Sequence, residues 1–68
     1  MKNKHELSME ICAILAEIEH IRNSANCNEH LSEYLTHKCG AFLWVLDDEI
    51  PEHIIEWLER LEMDDLIP

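Results

Sequence analysis

The sequence predicts an all-α fold, a small three-helix antiparallel (up-down-up) bundle that forms a single acidic domain over residues 1–68. Apolar residues recur at alternating spacings of three and four, which is typical of amphipathic helices. The chain has one glycine and two prolines, so its loops should be short. No stretch alternates apolar and polar residues for long enough to predict a strand. We therefore expect helices at about 4–24, 27–46 and 49–63.

The length limits how much surface these helices bury. A chain of 68 residues buries about 60% of the surface that its unfolded form exposes, so its stability is marginal unless a second copy adds to the core. We therefore expect a homodimer, in which the second copy completes the bundle.

The first helix carries one apolar face, and Asn3 followed by Glu6 has the spacing of an N-terminal capping box. The members of this face are Leu7, Ile11, Ile14, Ile18, Ile21 and Ala25. The opposite side carries mostly small side chains, namely Met9, Cys12, Ala13, Ala16 and His20. That side is either a solvated back or a surface on which a second copy packs closely.

The second helix has more apolar surface than one face can hold, and Asn26 with Glu29 predicts its cap. Its expected core face is Leu31, Leu35, Cys39, Phe42 and Leu46, flanked by Tyr34 and Val45. At about 100° per residue, a second strip of His30, His37, Ala41 and Trp44 lies some 140° away, with Leu43 on the other flank. We expect this strip to cover a second neighbour within the bundle. A dimer or partner surface and plain exposure are the alternatives.

In the third helix, Asp48 is the expected cap and Pro51 occupies the first turn. Its buried face should consist of Ile50, Ile54, Trp57, Leu58 and Leu61. The terminal Leu66 and Ile67 either fold back or fray.

Acidic charge is concentrated in the last third of the chain. The final 22 residues hold nine acids and one base, a charge of −8 out of the total of −10. Seven of these acids form what we call the acidic band: Asp47, Asp48, Glu49, Glu52, Glu56, Glu59 and Glu62. Only Glu56 and Arg60 are spaced as a favourable i,i+4 pair. The acidic band either keeps a small protein soluble or forms a surface for a basic partner.

The sequence indicates neither a metal site, nor a cofactor, nor catalytic residues. Cys27, His30, His37 and Cys39 resemble a zinc cluster, but on one helix the two histidines lie about 10 Å apart along the axis. Donors to a single zinc ion lie only about 2 Å from it. A general acid–base pair needs a buried carboxyl group, whereas these acids lie on a polar helix side. We therefore predict that the protein is not an enzyme.

Composition also argues against nucleic acid and membrane as direct partners. The chain has only five Lys and Arg residues against fifteen acids. Its net negative charge would be repelled by a nucleic-acid duplex and by anionic lipid. The longest nearly apolar run, residues 39–46, is eight residues long, against about 20 needed to cross a bilayer. Three cysteines, an odd number, do not suit a disulfide framework. With a polar N-terminus and no targeting segment, a cytoplasmic location is expected.

These features predict a non-enzymatic binding protein. In its small size, its acidity and its mostly helical composition, the chain resembles small phage-type inhibitors of host nucleic-acid machinery, including some anti-CRISPR proteins. The resemblance is one of general character. No motif carries it and it assigns no residue roles. From the charge distribution, we predict that the acidic band blocks the basic surface of a nucleic-acid-binding partner as a nucleic-acid mimic. The alternative is an adaptor or chaperone-like module that binds through an apolar helix face anchored by Trp44, Leu43 and Ala41, with acidity only for solubility.

Overall fold

Three α-helices make up most of the described part of the chain: α1 (Lys4–Arg22), α2 (Glu29–Leu46) and α3 (Glu52–Arg60). The computed structural model describes residues 3–24 and 29–68. Within those ranges two short 3-10 turns complete the chain, at Asp47–Glu49 and Asp64–Leu66, and there is no strand. The predicted all-α class with three helices is confirmed. The expected Asn26 cap and the core position of Ala25 lie outside the described residues.

Contacts between the helix ends show the up-down-up path. Lys4, at the start of α1, pairs with Glu49, shortly before α3. Arg22, at the end of α1, donates a hydrogen bond to the carbonyl of Leu61, at the end of α3. Therefore α1 and α3 run in the same direction. Because α2 ends where the Asp47–Glu49 turn begins, it runs in the opposite direction.

The central helix of the bundle is α1, which packs against both α2 and α3. Its first turn is capped as predicted, since the Asn3 side chain accepts a hydrogen bond from the Glu6 N–H at 2.9 Å. The predicted Ile11, Ile14, Ile18 and Ile21 are buried, and so is Leu15, which the single predicted stripe leaves out. A helix that contacts two neighbours needs a wider apolar face than one stripe.

The buried face of α2 is rotated from the predicted one. Cys39 and Leu46 are buried as expected, but Leu43 is 0% exposed whereas Leu31 is 39% exposed. The prediction was wrong at these two positions because α2 is apolar on most of its circumference, and its periodicity alone does not select one side. A Cβ on Gly40 would lie 3.5 Å from Cδ2 of Leu66, so the C-terminal segment folds back onto α2. Ile67, like Leu66, packs against the core.

The third helix begins later than expected, and the predicted Asp48 cap is wrong. Asp47 leaves the helical conformation with a φ of 51°, and Asp48 belongs to the 3-10 turn. Ile50 is extended, with φ −69° and ψ 125°, because a residue before proline avoids the α region. Pro51 is consequently the N-cap and Glu52 the first helical residue. Of the predicted apolar face, Trp57 is half-buried and the others are buried, namely Ile50, Ile54, Leu58 and Leu61.

The end of α3 is closed by a Schellman motif. The Met63 N–H donates to the Leu58 carbonyl at 2.8 Å, and the Glu62 N–H donates to the Glu59 carbonyl at 3.1 Å. Glu62 has a φ of 60°, the left-handed conformation that this motif usually assigns to glycine. Met63 and Leu58 are both buried in the core, which supplies the apolar contact typical of the motif. This closure matters because a helix of nine residues is not stable alone.

Within the described ranges, no helix is both long enough and apolar enough to cross a membrane.

Candidate functional site

All seven residues of the acidic band have exposed side chains, but they do not lie on one helix. Glu52, Glu56 and Glu59 share the outward face of α3, at spacings of four and three. That spacing separates neighbouring carboxylates by about 5–6 Å along the axis. The other members flank α3: Asp47, Asp48 and Glu49 form the preceding turn, and Glu62 follows the helix.

Ion pairs neutralise little of this surface. Lys4 pairs with Glu49. The guanidinium of Arg60 lies 4.0 Å from Glu19 on α1 and 5.9 Å from the centre of the Trp57 ring. The expected Glu56–Arg60 pair is therefore replaced by contacts to α1 and to an aromatic ring. Among the described residues, no ion pair involves Glu52, Glu56 or Glu59.

The first acids of the band lie at an electrostatically unfavourable place. The late start of α3 leaves Asp47 and Asp48 directly after α2, whose last turn contains no basic residue. The C-terminal end of a helix carries a partial negative charge, so carboxylates there are destabilising. Of the acids in the band, only Glu52 lies in the first turn of α3, where a carboxylate favours the helix dipole.

The strip predicted to be internal on α2 is exposed. His30, His37, Ala41 and Trp44 all face solvent, and Trp44 is 75% exposed. The expectation that they cover a second helix was wrong because α3 packs against α1 instead. Leu43, an expected anchor of an apolar binding face, is fully buried and does not belong to this surface.

The exposed surface is broader than the four predicted residues. Tyr34, Val45 and Leu31 are also exposed and lie on the same side of α2. With Lys38 these residues form what we call the α2 strip: His30, Leu31, Tyr34, His37, Lys38, Ala41, Trp44 and Val45. Sequence reasoning assigned Leu31 to the core and Tyr34 and Val45 to its flank. The spacing 30, 34, 37, 41 and 44, which alternates four and three, is the signal that would have grouped Tyr34 with the histidines and Trp44.

A shallow groove of about 430 Å³ lies between the N-terminal parts of α1 and α3. Its lining is Lys4, His5, Ser8, Met9, Cys12, Glu49, Pro51 and His53. The Cys12 Sγ lies 3.9 Å from Nε2 of His53, a pair that is 41 residues apart in the sequence and was not predicted. This distance is at the outer limit for a hydrogen bond to sulfur. Because His53 is exposed, the contact does not hold its imidazole in one orientation.

The residues considered for zinc do not converge in the part of the chain that the structure describes. Cys39 is buried, whereas His30 and His37 are exposed on another side of α2; Cys27 lies outside the described residues. Burial raises the pKa of the Cys39 thiol to about 11, which disfavours the thiolate that a metal needs. Nowhere in residues 3–24 and 29–68 do three or more His, Cys, Asp or Glu side chains form a group suited to a metal ion.

Comparison with protein-family models, with curated proteins and with solved structures gives no match. The candidate surfaces therefore rest on geometry and charge alone: the acidic band on one side, and the α2 strip on another.

Proposed function

We propose that this chain is a non-enzymatic binding protein whose acidic band occupies the basic surface of a nucleic-acid-binding protein and thereby inhibits it. The observation that carries the proposal is the placement of the carboxylates. All seven are exposed, and several stand where they destabilise the fold.

Three costs of this placement can be named. Asp47 and Asp48 follow the C-terminal end of α2, at a cost of about 0.3–1 kcal/mol for each charge near the helix terminus. Glu62 adopts the left-handed conformation that glycine adopts more easily. Along α3, Glu52 and Glu56 repel each other at the i,i+4 spacing. Contacts within the described chain offset little of this, and a positively charged partner would offset it directly.

The geometry suits arginine-rich surfaces in particular. Exposed carboxylates at about 5–6 Å intervals along α3 present a line of negative charge, as a phosphate backbone does. Carboxylates and phosphates share the bidentate hydrogen bonding that the arginine guanidinium prefers. A groove that evolved to bind phosphates therefore accepts this row of side chains, and its field accelerates the encounter.

The test uses the whole chain as bait in a lysate of its native host. The wild type is compared with E52Q/E56Q/E59Q and with a matched control, E17Q/E29Q/E33Q, which removes three exposed acids from α1 and α2. We expect the wild type and the control to capture a nucleic-acid-binding protein that the α3 variant does not capture. Capture should weaken steeply between about 50 and 300 mM salt, because screening shortens the reach of surface charges.

The captured protein is then assayed for nucleic-acid binding. We expect the wild-type chain to displace the nucleic acid and the α3 variant to fail. Capture that is indifferent to salt, or equal for the two triple variants, would reject the proposal.

The exposed α2 strip favours a second candidate, an adaptor that binds an apolar partner. Trp44→Ala would then abolish capture, whereas the α3 triple variant would capture the partner normally. The same bait experiment therefore distinguishes the two functions.

A further inference from the structure

We propose that the α2 strip is the contact surface for a second copy of this chain, with the two α2 helices packed antiparallel. The inference goes beyond the proposed function, since the acidic band takes no part in it.

The spacing of the strip matches a helix–helix seam. Positions 30, 34, 37, 41 and 44 alternate spacings of four and three, the repeat with which two helices pack side by side. The seam extends about 21 Å along the axis. Its middle residue is His37, and its one small side chain, Ala41, lies between His37 and the ring of Trp44. A small residue between larger ones lets two helices approach closely.

Two exposed aromatic rings supply a large part of the apolar area that a dimer needs. A whole aromatic side chain offers about 150–250 Å². Exposed fractions of 75% for Trp44 and 58% for Tyr34 therefore leave on the order of 250 Å² in each copy. Two copies contribute about 500 Å² from these rings alone, half of the roughly 1,000 Å² that a specific interface needs. Val45, Leu31 and the histidine rings extend the same patch.

Charge identifies the occupant as another copy rather than a basic protein. None of the eight positions of the α2 strip carries a carboxylate, although the chain contains fifteen acids; the exposed Glu33 borders the strip on its Trp44 side. Two chains of net charge −10 repel each other, and this repulsion is smallest where acids are absent. Lys38, whose ammonium lies 5.9 Å from the Tyr34 ring and 6.0 Å from the Phe42 ring, gives this face no negative charge to attract a basic partner.

The acidic turn after α2 sets the orientation. In a parallel pair, Asp47, Asp48 and Glu49 of the two copies would lie side by side at the same end. In an antiparallel pair they lie at opposite ends, which separates six carboxylates into two groups. A register centred at position 39 then places Trp44 of one copy against Tyr34 of the other.

The other exposed strip is less suitable. On the back of α1, Met9 is the only large apolar side chain among the exposed Met9, Ala13, Ala16 and His20. This strip therefore provides the control substitution, Met9→Ala, for a change at an exposed apolar residue outside the seam.

The first test is sedimentation equilibrium from about 1 to 200 µM. We expect the wild type to dimerise in the micromolar range and Trp44→Ala, which alters both copies, to raise the dimer Kd at least 30-fold, roughly. Met9→Ala should change it by no more than about twofold. Added salt should strengthen the dimer by screening the repulsion between the two chains, opposite in sign to its effect on a basic partner. A wild type that stays monomeric, or a dimer that is insensitive to Trp44→Ala, overturns the proposal.

The orientation is tested with a spin label on His30→Cys, in a Cys12→Ser/Cys27→Ser background whose helical content matches the wild type. Position 30 is nine residues from the proposed centre, so the labelled backbones lie about 27 Å apart along the axis in the antiparallel dimer. A parallel pair would bring them to about 10 Å, the separation of packed helix axes. The longer distance supports the antiparallel arrangement, and the shorter one rejects it.

Discussion

The helices α2 and α3 differ in the side chains that they expose to solvent. The 18-residue α2 buries Cys39, Leu43 and Leu46 fully while exposing aromatic rings on its other side. The 9-residue α3 separates its side chains cleanly, with Ile54 and Leu58 inward and carboxylates outward. After the core is complete, α2 has apolar surface left over, and α3 does not.

The short helix is instead stabilised at its ends. Its last carbonyl groups are satisfied by the Schellman motif and by the guanidinium of Arg22 from α1. A cation at a helix C-terminus also opposes the partial negative charge of that end. Thus α2 presents the exposed apolar surface, and α3 presents the acidic one on a short helix that α1 and the closure after Arg60 stabilise.

Two adjacent residues of α2, Leu43 and Trp44, test whether this helix has one buried and one free side. Leu43→Ala should destabilise the fold by about 2–5 kcal/mol, because it removes a fully buried side chain and leaves a cavity. Trp44→Ala should change the free energy of unfolding by less than about 0.5 kcal/mol, measured by urea denaturation at a concentration where the chain is monomeric. Equal losses for the two variants would show that α2 does not have a buried and a free side.

Cys39 probes the buried side of α2 chemically. Because burial raises its pKa from 9.0 to about 11, the folded chain should hold about 100-fold less thiolate at this position than the unfolded chain at pH 8. Alkylation of Cys39, followed by mass spectrometry with and without urea, should slow by at least that factor in the folded protein.

The same thiol makes stability fall at alkaline pH. Between pH 9 and about 11 the unfolded chain loses the Cys39 proton and the folded chain retains it, so rising pH favours unfolding in that interval. Well below pH 9 this thiol is protonated almost entirely in both states and contributes almost no slope. Cys39→Ala should remove this part of the pH dependence, and an unchanged slope would contradict it.

Arg22 tests whether α3 depends on α1 for its C-terminal end. Arg22→Ala should cost about 1 kcal/mol, since it removes a charged donor from the Leu61 carbonyl. Arg60→Ala is the matched control, because it removes an exposed cation from the last turn of α3 but leaves the hydrogen bond from Arg22 to the Leu61 carbonyl in place. Thermal unfolding followed by circular dichroism should separate the two variants, and a larger loss for Arg60→Ala would count against this account of the helix end.

The smallest expected effect is a gain. Glu62→Gly should stabilise the chain by about 0.5–1 kcal/mol, because the left-handed conformation at φ 60° strains a residue with a Cβ. Glu62→Ala removes the same charge but retains the Cβ, so it should gain less. If alanine and glycine stabilise equally, charge rather than backbone conformation sets the cost.

The apolar faces of α1 and α3 were predictable because charged residues bound them on both sides. Leu31 and Leu43 could not be told apart in the same way, since α2 carries apolar side chains on most sides and only the packing of α1 selects the buried ones. The start of α3 was predictable in principle, because Pro51 restricts the residue before it. The contact between Cys12 and His53 depends on the parallel course of α1 and α3, which no local pattern encodes.

Exposure of the acidic band was predicted from amphipathicity, and the exposed side chains agree with it. Its division between a turn and a helix was not predicted, because it follows from the conformations of Asp47 and Ile50. The sequence predicted exposure of the α2 strip only as an alternative to burial against a second helix. Which of the two occurs depends on which helix lies at the centre of the bundle. Whether either surface binds a partner remains a prediction.

The two tryptophans lie in very different surroundings, Trp44 at 75% exposure and Trp57 half-buried beneath Arg60. Intrinsic fluorescence can therefore report on the α2 strip and on α3 separately. Acrylamide, an uncharged quencher that this acidic chain does not repel, should reach Trp44 first. Occupation of the α2 strip should shift the emission of Trp44 to shorter wavelength. In Trp44→Phe, Trp57 should be the remaining source of tryptophan fluorescence. The chain thus contains its own optical probe for each of its two candidate surfaces.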